Sequence, residues 1–239
     1  MIKFFRKICK SLIEQNKMGK YFKYAIGEIV LVVIGILIAL QINNWNEQKR
    51  IELDLQNSLA AMVVEVDKNI DFLTNQKAVT QTRVDGLKEI FDNSASLKDK
   101  QNILNFFGPD VNSKPFLKVF EGMKEDKKLA LIDNKKLVNN INEFFEYTLP
   151  DIHEFCKWHE GFVGNIIDPY IIENIPIKRN NVIDVKIVDK LLGNIKFNNI
   201  LSYQNILYSG YIKASSNAIE QAQKLKVELV VELERLQND

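Results

Sequence analysis

The chain has 239 residues, 46% hydrophobic and 26% charged, and its 32 Lys and Arg against 31 Asp and Glu leave a formal charge of +1. That length suits one or two domains with a packed core, and 10 glycines and 5 prolines are too few for a collagen-like chain, Pro/Gly-rich disorder or a turn-dense β-sandwich or barrel. The near-zero charge averages two unlike parts. Residues 1–24 carry Lys3, Arg6, Lys7, Lys10, Lys17, Lys20 and Lys23 against Glu14 alone, which leaves 25 basic and 30 acidic side chains in the rest. An acidic remainder argues against a nucleic-acid partner, since phosphate binding needs a basic face on the folded part.

The chain opens on IKFFRKICKSLI, with Phe4, Phe5, Ile8 and Leu12 on one side and lysines on the other. Residues 1–23 are expected to be a cytoplasmic basic amphipathic segment drawn to anionic lipid. The apolar run YAIGEIVLVVIGILIALQI, residues 24–42, follows. As a helix it reaches roughly 28 Å, close to a hydrocarbon core of about 30 Å. Tyr24 and Trp45 flank it as interfacial aromatics, so the run is expected to be a transmembrane helix in contact with the bilayer. The basic flank precedes the span, and the positive-inside rule puts the N-terminus in the cytoplasm and residues 43–239 outside, which implies a single-pass inner-membrane protein with a periplasmic domain. A cleaved signal peptide is the competing reading, but its apolar region is shorter and exits through small residues, whereas this run exits through Leu40-Gln41-Ile42-Asn43.

Within the span Glu28 stands out, since an ionisable group in a membrane helix is a functional candidate by default. One reading has it snorkel to the cytoplasmic interface. The other places it on a helix–helix contact with Gly35 and Ala39, a small-xxx-small pair that lets backbones approach, giving a homo-oligomer or a partner helix.

Beyond the span, Ile51, Leu55, Leu59, Met62, Val66, Ile70 and Leu73 repeat with a 4-4-3 spacing, and the first proline is Pro109. The helix is therefore expected to continue to about Gln76, with a further stretch through Val84, Leu87 and Phe91 ending near Asp92-Asn93-Ser94. Leu207, Tyr211, Ala214, Ala218, Ala222, Leu225, Leu229, Leu233 and Leu236 show the same period, which suggests direct antiparallel packing of the two and a C-terminus that returns close to the membrane. Between them Asn105–Pro115 reads as a loop. A helix over Asn134–Leu149 is expected to start at Asp133 as its cap and to be closed by Pro150, and a second, Asp151–Ile167, carries Ile152, Phe155, Trp158, Phe162 and Ile166 on one face. Asn174–Asp184 is a polar connection, after which either a short strand or a helix beginning at Val185 is open. The fold class is all-α: an N-terminal transmembrane helix continuing into an extracytoplasmic antiparallel bundle of four to five helices.

The block YFKYAIGEIVLVVIGILIALQINNWNEQKR, residues 21–50, preceded by MIKFFRKI, resembles the opening of the domain-of-unknown-function 6090 family, specifically in Gly27-Glu28 and in the exit Ile42-Asn43-Asn44-Trp45-Asn46-Glu47. LALIDNKKLVNNINEFFEY, residues 129–147, is similar to that family's middle helix more loosely. The resemblance implies a small bacterial membrane protein with a helical extracytoplasmic domain, and it carries no catalytic residues over.

Reactive side chains concentrate in HEFCKWHE. His153, Cys156 and Glu160 share a helical face at i, i+3 and i+7, and imidazole with thiolate suits zinc or copper. His153 and His159, six apart, lie about 240° round a helix and do not join one mononuclear site. The simpler reading is a packed, hydrogen-bonded His159 beside Phe155 and Phe162 and an inert Cys156. Cys9 and Cys156 fall on opposite sides of the membrane and do not pair within one chain, which leaves an intermolecular bridge through Cys156 or a free thiol. HExxH, CxxC, GxSxG, the P-loop and GxGxxG are all missing. The expectation is a non-enzymatic protein without a cofactor, a scaffold or interaction subunit of a cell-envelope assembly. The alternative is a sensor-like module binding a small ligand between helices, although about 24 residues inside the cell are few for a sensor's output domain.

Overall fold

A computed structural model of the protein describes residues 18–107, 114–176 and 183–238. The amphipathic reading of residues 4–12, Cys9, the centre of the Gly-Pro loop (108–113) and part of the polar connection (177–182) lie outside the described residues, as do the side chains of Tyr21 and Tyr24. All regular structure among the described residues is helical. The long elements are α1 (Met18–Phe91), α5 (Leu149–Phe162) and α8 (Ile195–Asn238). Shorter ones are α2 (Leu97–Gln101), α3 (Lys118–Glu125), α4 (Lys135–Asn142), α6 (Asp168–Asn174) and α7 (Val185–Leu192). The chain divides into two compact units, Met1–Asp54 and Leu55–Asp239.

In the first unit the described residues form only the leading part of α1. In the second unit the remainder of α1 buries Leu55, Leu59, Met62, Val66, Leu73 and Leu87, and α8 buries Ala218, Ala222, Leu225 and Leu229. The two helices pair antiparallel, the arrangement that their matching 4-4-3 stripes suggest. Gln56 Nε2 donates to Leu236 O at 2.6 Å, Lys226 pairs with Asp67 at 2.7 Å, and Lys77 Nζ meets Ser216 Oγ at 3.2 Å. The expected interruption after Gln76 does not occur: without proline the backbone ladder runs on to Phe91, and Asn93, at φ 55, begins the turn that ends it. Gly86 lies where an added Cβ would sit 2.3 Å from the Phe106 ring, which packs against α1 there.

A trans-acting cap holds the middle of the chain to α1. Leu117, at the N-cap of α3, makes no side-chain cap bond. The first turn is satisfied instead by Glu65 of α1, whose carboxylate accepts from Val119 N at 2.7 Å and Phe120 N at 3.0 Å. One turn along α1, Asn69 pairs with the Phe116 backbone in both directions, at 2.9 Å each way. Both side chains are buried.

The helix expected to close at Pro150 does not close. From Lys135 the chain stays helical to Asn174 through two π-helical segments, Glu143–Thr148 and Val163–Ile167, each two residues or fewer from a proline (Pro150 and Pro169). Proline has no N–H for the i−4 carbonyl and its ring crowds that carbonyl; the wider π turn makes room for it. The first π segment also turns two consecutive rings, Phe144 and Phe145, into the core, where Phe145 stacks on Phe120 at 4.8 Å. The cap of α4 is Asn134, whose side chain accepts from Leu137 N at 3.1 Å, rather than Asp133 one residue earlier. After the polar connection the chain enters helix α7 at Val185, capped by Asp184, so the strand option falls.

Candidate functional site

Glu28, Gly35 and Ala39 lie on the leading part of α1 with their neighbours uncovered, and a Cβ added at Gly35 would meet nothing within 4 Å. The most apolar 18-residue window of this helix has a mean hydropathy of 2.6 and none of it is buried. Length and composition thus suffice to cross a membrane, and Trp45 lies exposed just past the apolar run.

The grouping of His153, Cys156 and Glu160 is not assembled. Cys156 points into the core, His153 is half-buried and Glu160 is exposed, and no group of three His, Cys, Asp or Glu among the described residues is placed to hold a metal ion. Burial pushes the Cys156 thiol up to about 12, so it is not a nucleophile near neutral pH. The buried face of α5 is Ile152, Cys156 and His159, continued by Val163 and Ile167. Of the expected face only Ile152 is in the core; Trp158 is 52% exposed and Ile166 46% exposed. The aromatic side chains form the outer edge instead: Trp158 meets Tyr203 of α8 edge-on at 6.1 Å and Phe162 meets the same ring at 4.9 Å. Phe162 and Tyr203, with Ile166, Ile195 and Ile200, line an open groove of about 570 Å³.

The chemistry inside belongs to a polar seam between α1, α5 and α8. His159, wholly buried, lies with Nε2 3.2 Å from Gln204 Oε1 and its ring 5.5 Å from that of Tyr208. Tyr208 donates to Phe106 O at 3.0 Å and accepts from Arg83 Nη1 at 3.1 Å, while the guanidinium sits 5.7 Å over its ring. Further along α8, Tyr211 OH and Ser215 Oγ are buried without a hydrogen-bond partner in the protein, as are His159 Nδ1 and Gln204 Nε2. Burial raises the Tyr211 hydroxyl to about 12, partly offset by the nearby Ser215 hydroxyl. Gln204, Tyr208, Tyr211 and Ser215 repeat at 4-3-4, the period of the apolar stripe itself, and that spacing is the signal by which the sequence would have disclosed the seam.

The seam, the Glu65 cap and the apolar part of α1 frame the comparison with known proteins. Residues 28–123 match the family model described as "Family of unknown function (DUF6090)". The resemblance read from the opening of the chain therefore holds over that stretch, and no curated protein and no solved structure matches the chain. The DUF6090 match begins at Glu28 and ends at Met123, so it takes in Glu65, Asn69 and the α3 turn they cap, and stops short of α5 and α8.

Proposed function

We propose that this protein is a single-pass, membrane-anchored helical scaffold: its N-terminus in the cytoplasm, α1 crossing the inner membrane, and its helical bundle in the periplasm as an interaction subunit of a cell-envelope assembly. The observation that carries this reading is the contrast within α1, uncovered and apolar through residues 25–42 and striped and buried from Leu55 onward. A helix hydrophobic on every side needs lipid or another helix around it. Glu28, Gly35 and Ala39 then form the contact with a partner helix or a second copy. The role is non-enzymatic: Cys156 is buried as a thiol, and His159 is bonded to an amide rather than to a nucleophile. The test is purification of the full-length protein in mild detergent, with mass spectrometry of what co-elutes and the native mass of the particle. A stoichiometric envelope protein is the expected result; a lone monomer that alkaline carbonate strips from membranes overturns the reading.

A second reading, a small-ligand module, is favoured by one feature. Thr82, Arg83, Asp85 and Glu89 of α1 face Lys98, Asp99, Asn102 and Asn105 across a groove of about 700 Å³ that mixes both charge signs. Ligand-dependent thermal stabilisation abolished by Asn102→Leu would move the assignment to that class.

A further inference from the structure

We propose that His159 and Gln204 form an acid-sensitive latch between α5 and α8, in which protonation of His159 at Nδ1 releases α5 from the polar seam. The direction of the hydrogen bond decides where the proton goes. Gln204 Oε1 only accepts, so His159 Nε2 carries the hydrogen of their 3.2 Å contact, and the remaining basic position is Nδ1. That atom is buried and has no hydrogen-bond partner in the protein.

A proton arriving there meets no carboxylate among the described groups that face the ring. From α8 the imidazole faces the Gln204 amide and the Tyr208 ring, from α1 the Arg83 cation, and on its own helix Cys156 lies one turn back as a protonated thiol. None of these is a carboxylate, and Arg83 repels a second positive charge. An unpaired charge in an apolar interior is not sustained; the group stays neutral or the surroundings open. Burial foremost, and then the Arg83 charge, hold His159 below its ordinary value of 6.5, against the bond to Gln204. The sign follows: unfolded or released His159 takes its proton near 6.5 and the packed one resists, so the seam's stability is complete above that pH and falls as pH drops below it.

The fold also supplies joints for the movement. α5 lies between the π segments Glu143–Thr148 and Val163–Ile167, where the i−4 ladder is already interrupted. A charged His159 is therefore accommodated by displacement of α5 between these two joints, at a cost below that of unfolding the α1–α8 pair. The consequence is separation of Trp158 and Phe162 from Tyr203, whose ring joins the outer faces of the two helices.

The experiment uses the full-length protein in detergent micelles. Trp45 and Trp158 are its only tryptophans, so Trp45→Phe leaves Trp158 as the reporter of the α5–α8 contact. Emission is expected to shift to the red between pH 8 and 5, with a midpoint below 6.5, in this variant and in its combination with His153→Gln, and to stay flat in its combination with His159→Gln. An undiminished shift in the His159→Gln background overturns the latch. Should that variant not fold, histidine C2-proton NMR of the Trp45→Phe protein decides, since His153→Gln assigns its two histidine signals. His159 titrating together with the Trp158 shift upholds the proposal; a Trp158 shift without His159 titration, or titration with no shift, overturns it.

Discussion

Residues 25–42 and residues 55–91 belong to one helix and obey opposite rules. In the first stretch nearly every position is apolar and none is buried; in the second, apolar positions recur at 4-4-3 intervals and one face is buried, that stripe together with Glu65, Asn69 and Thr80, while most charged residues lie outside it. Backbone geometry is common to both, so the difference lies in what surrounds the helix. A stripe of about 100° is what a neighbouring helix covers, and apolarity on all sides is what a hydrocarbon solvent covers. Propensity made the helix; its surroundings decided which side chains it needed.

Substitutions test this contrast directly. Leu59→Ala, in the fully buried stripe, is expected to cost about 2–5 kcal/mol of unfolding free energy, while Leu37→Ala on the same helix leaves denaturant unfolding of the packed unit unchanged. Equal losses at both positions would break the distinction. Gly86→Ala puts a Cβ 2.3 Å from the far end of the Phe106 ring, which must swing off α1, against a helix gain of about 0.5–1 kcal/mol; a net cost of at most about 2 kcal/mol is expected, read as a lowered thermal midpoint. Glu65→Ala leaves the Val119 and Phe120 amides without their acceptor at about 1–3 kcal/mol, and hydrogen exchange is expected to accelerate over α3 before the rest of the packed unit. Gly35→Ile, with nothing near its Cβ position, is expected to leave unfolding untouched and to lower the native mass of the detergent particle. An unchanged mass would remove Gly35 from the proposed contact and leave the proposed anchor untouched.

The long elements were legible because their signals are local and repeated. The apolar run after Tyr24, the stripe from Leu55 to Leu73 and the stripe from Leu207 to Leu229 each state their helix and its buried face, and matching periods anticipated the antiparallel pairing. His159 as a packed, hydrogen-bonded histidine and Cys156 as a buried free thiol were legible too, since aromatic neighbours and the lack of metal-ligand spacing both point that way. α5 misled for a physical reason. Its most hydrophobic face by residue type, Phe155, Trp158, Phe162 and Ile166, is the half-buried to exposed one, while Cys156, His159, Val163 and Ile167 are the buried one. Size of side chain ranks transfer energy, but fit against a particular neighbour decides burial.

By itself the sequence determined the helical class, the membrane-length run, the direction of charge and the two long pairing faces, because each follows from composition or from a period within one segment. Only the tertiary structure decided that Glu65 caps α3 from a different helix, that π turns carry the chain past Pro150 and Pro169, and that His159 meets Gln204 across 45 residues. Those are contacts between segments distant along the chain, and hydrogen-bond donors and acceptors carry no periodic mark of the partner they will meet.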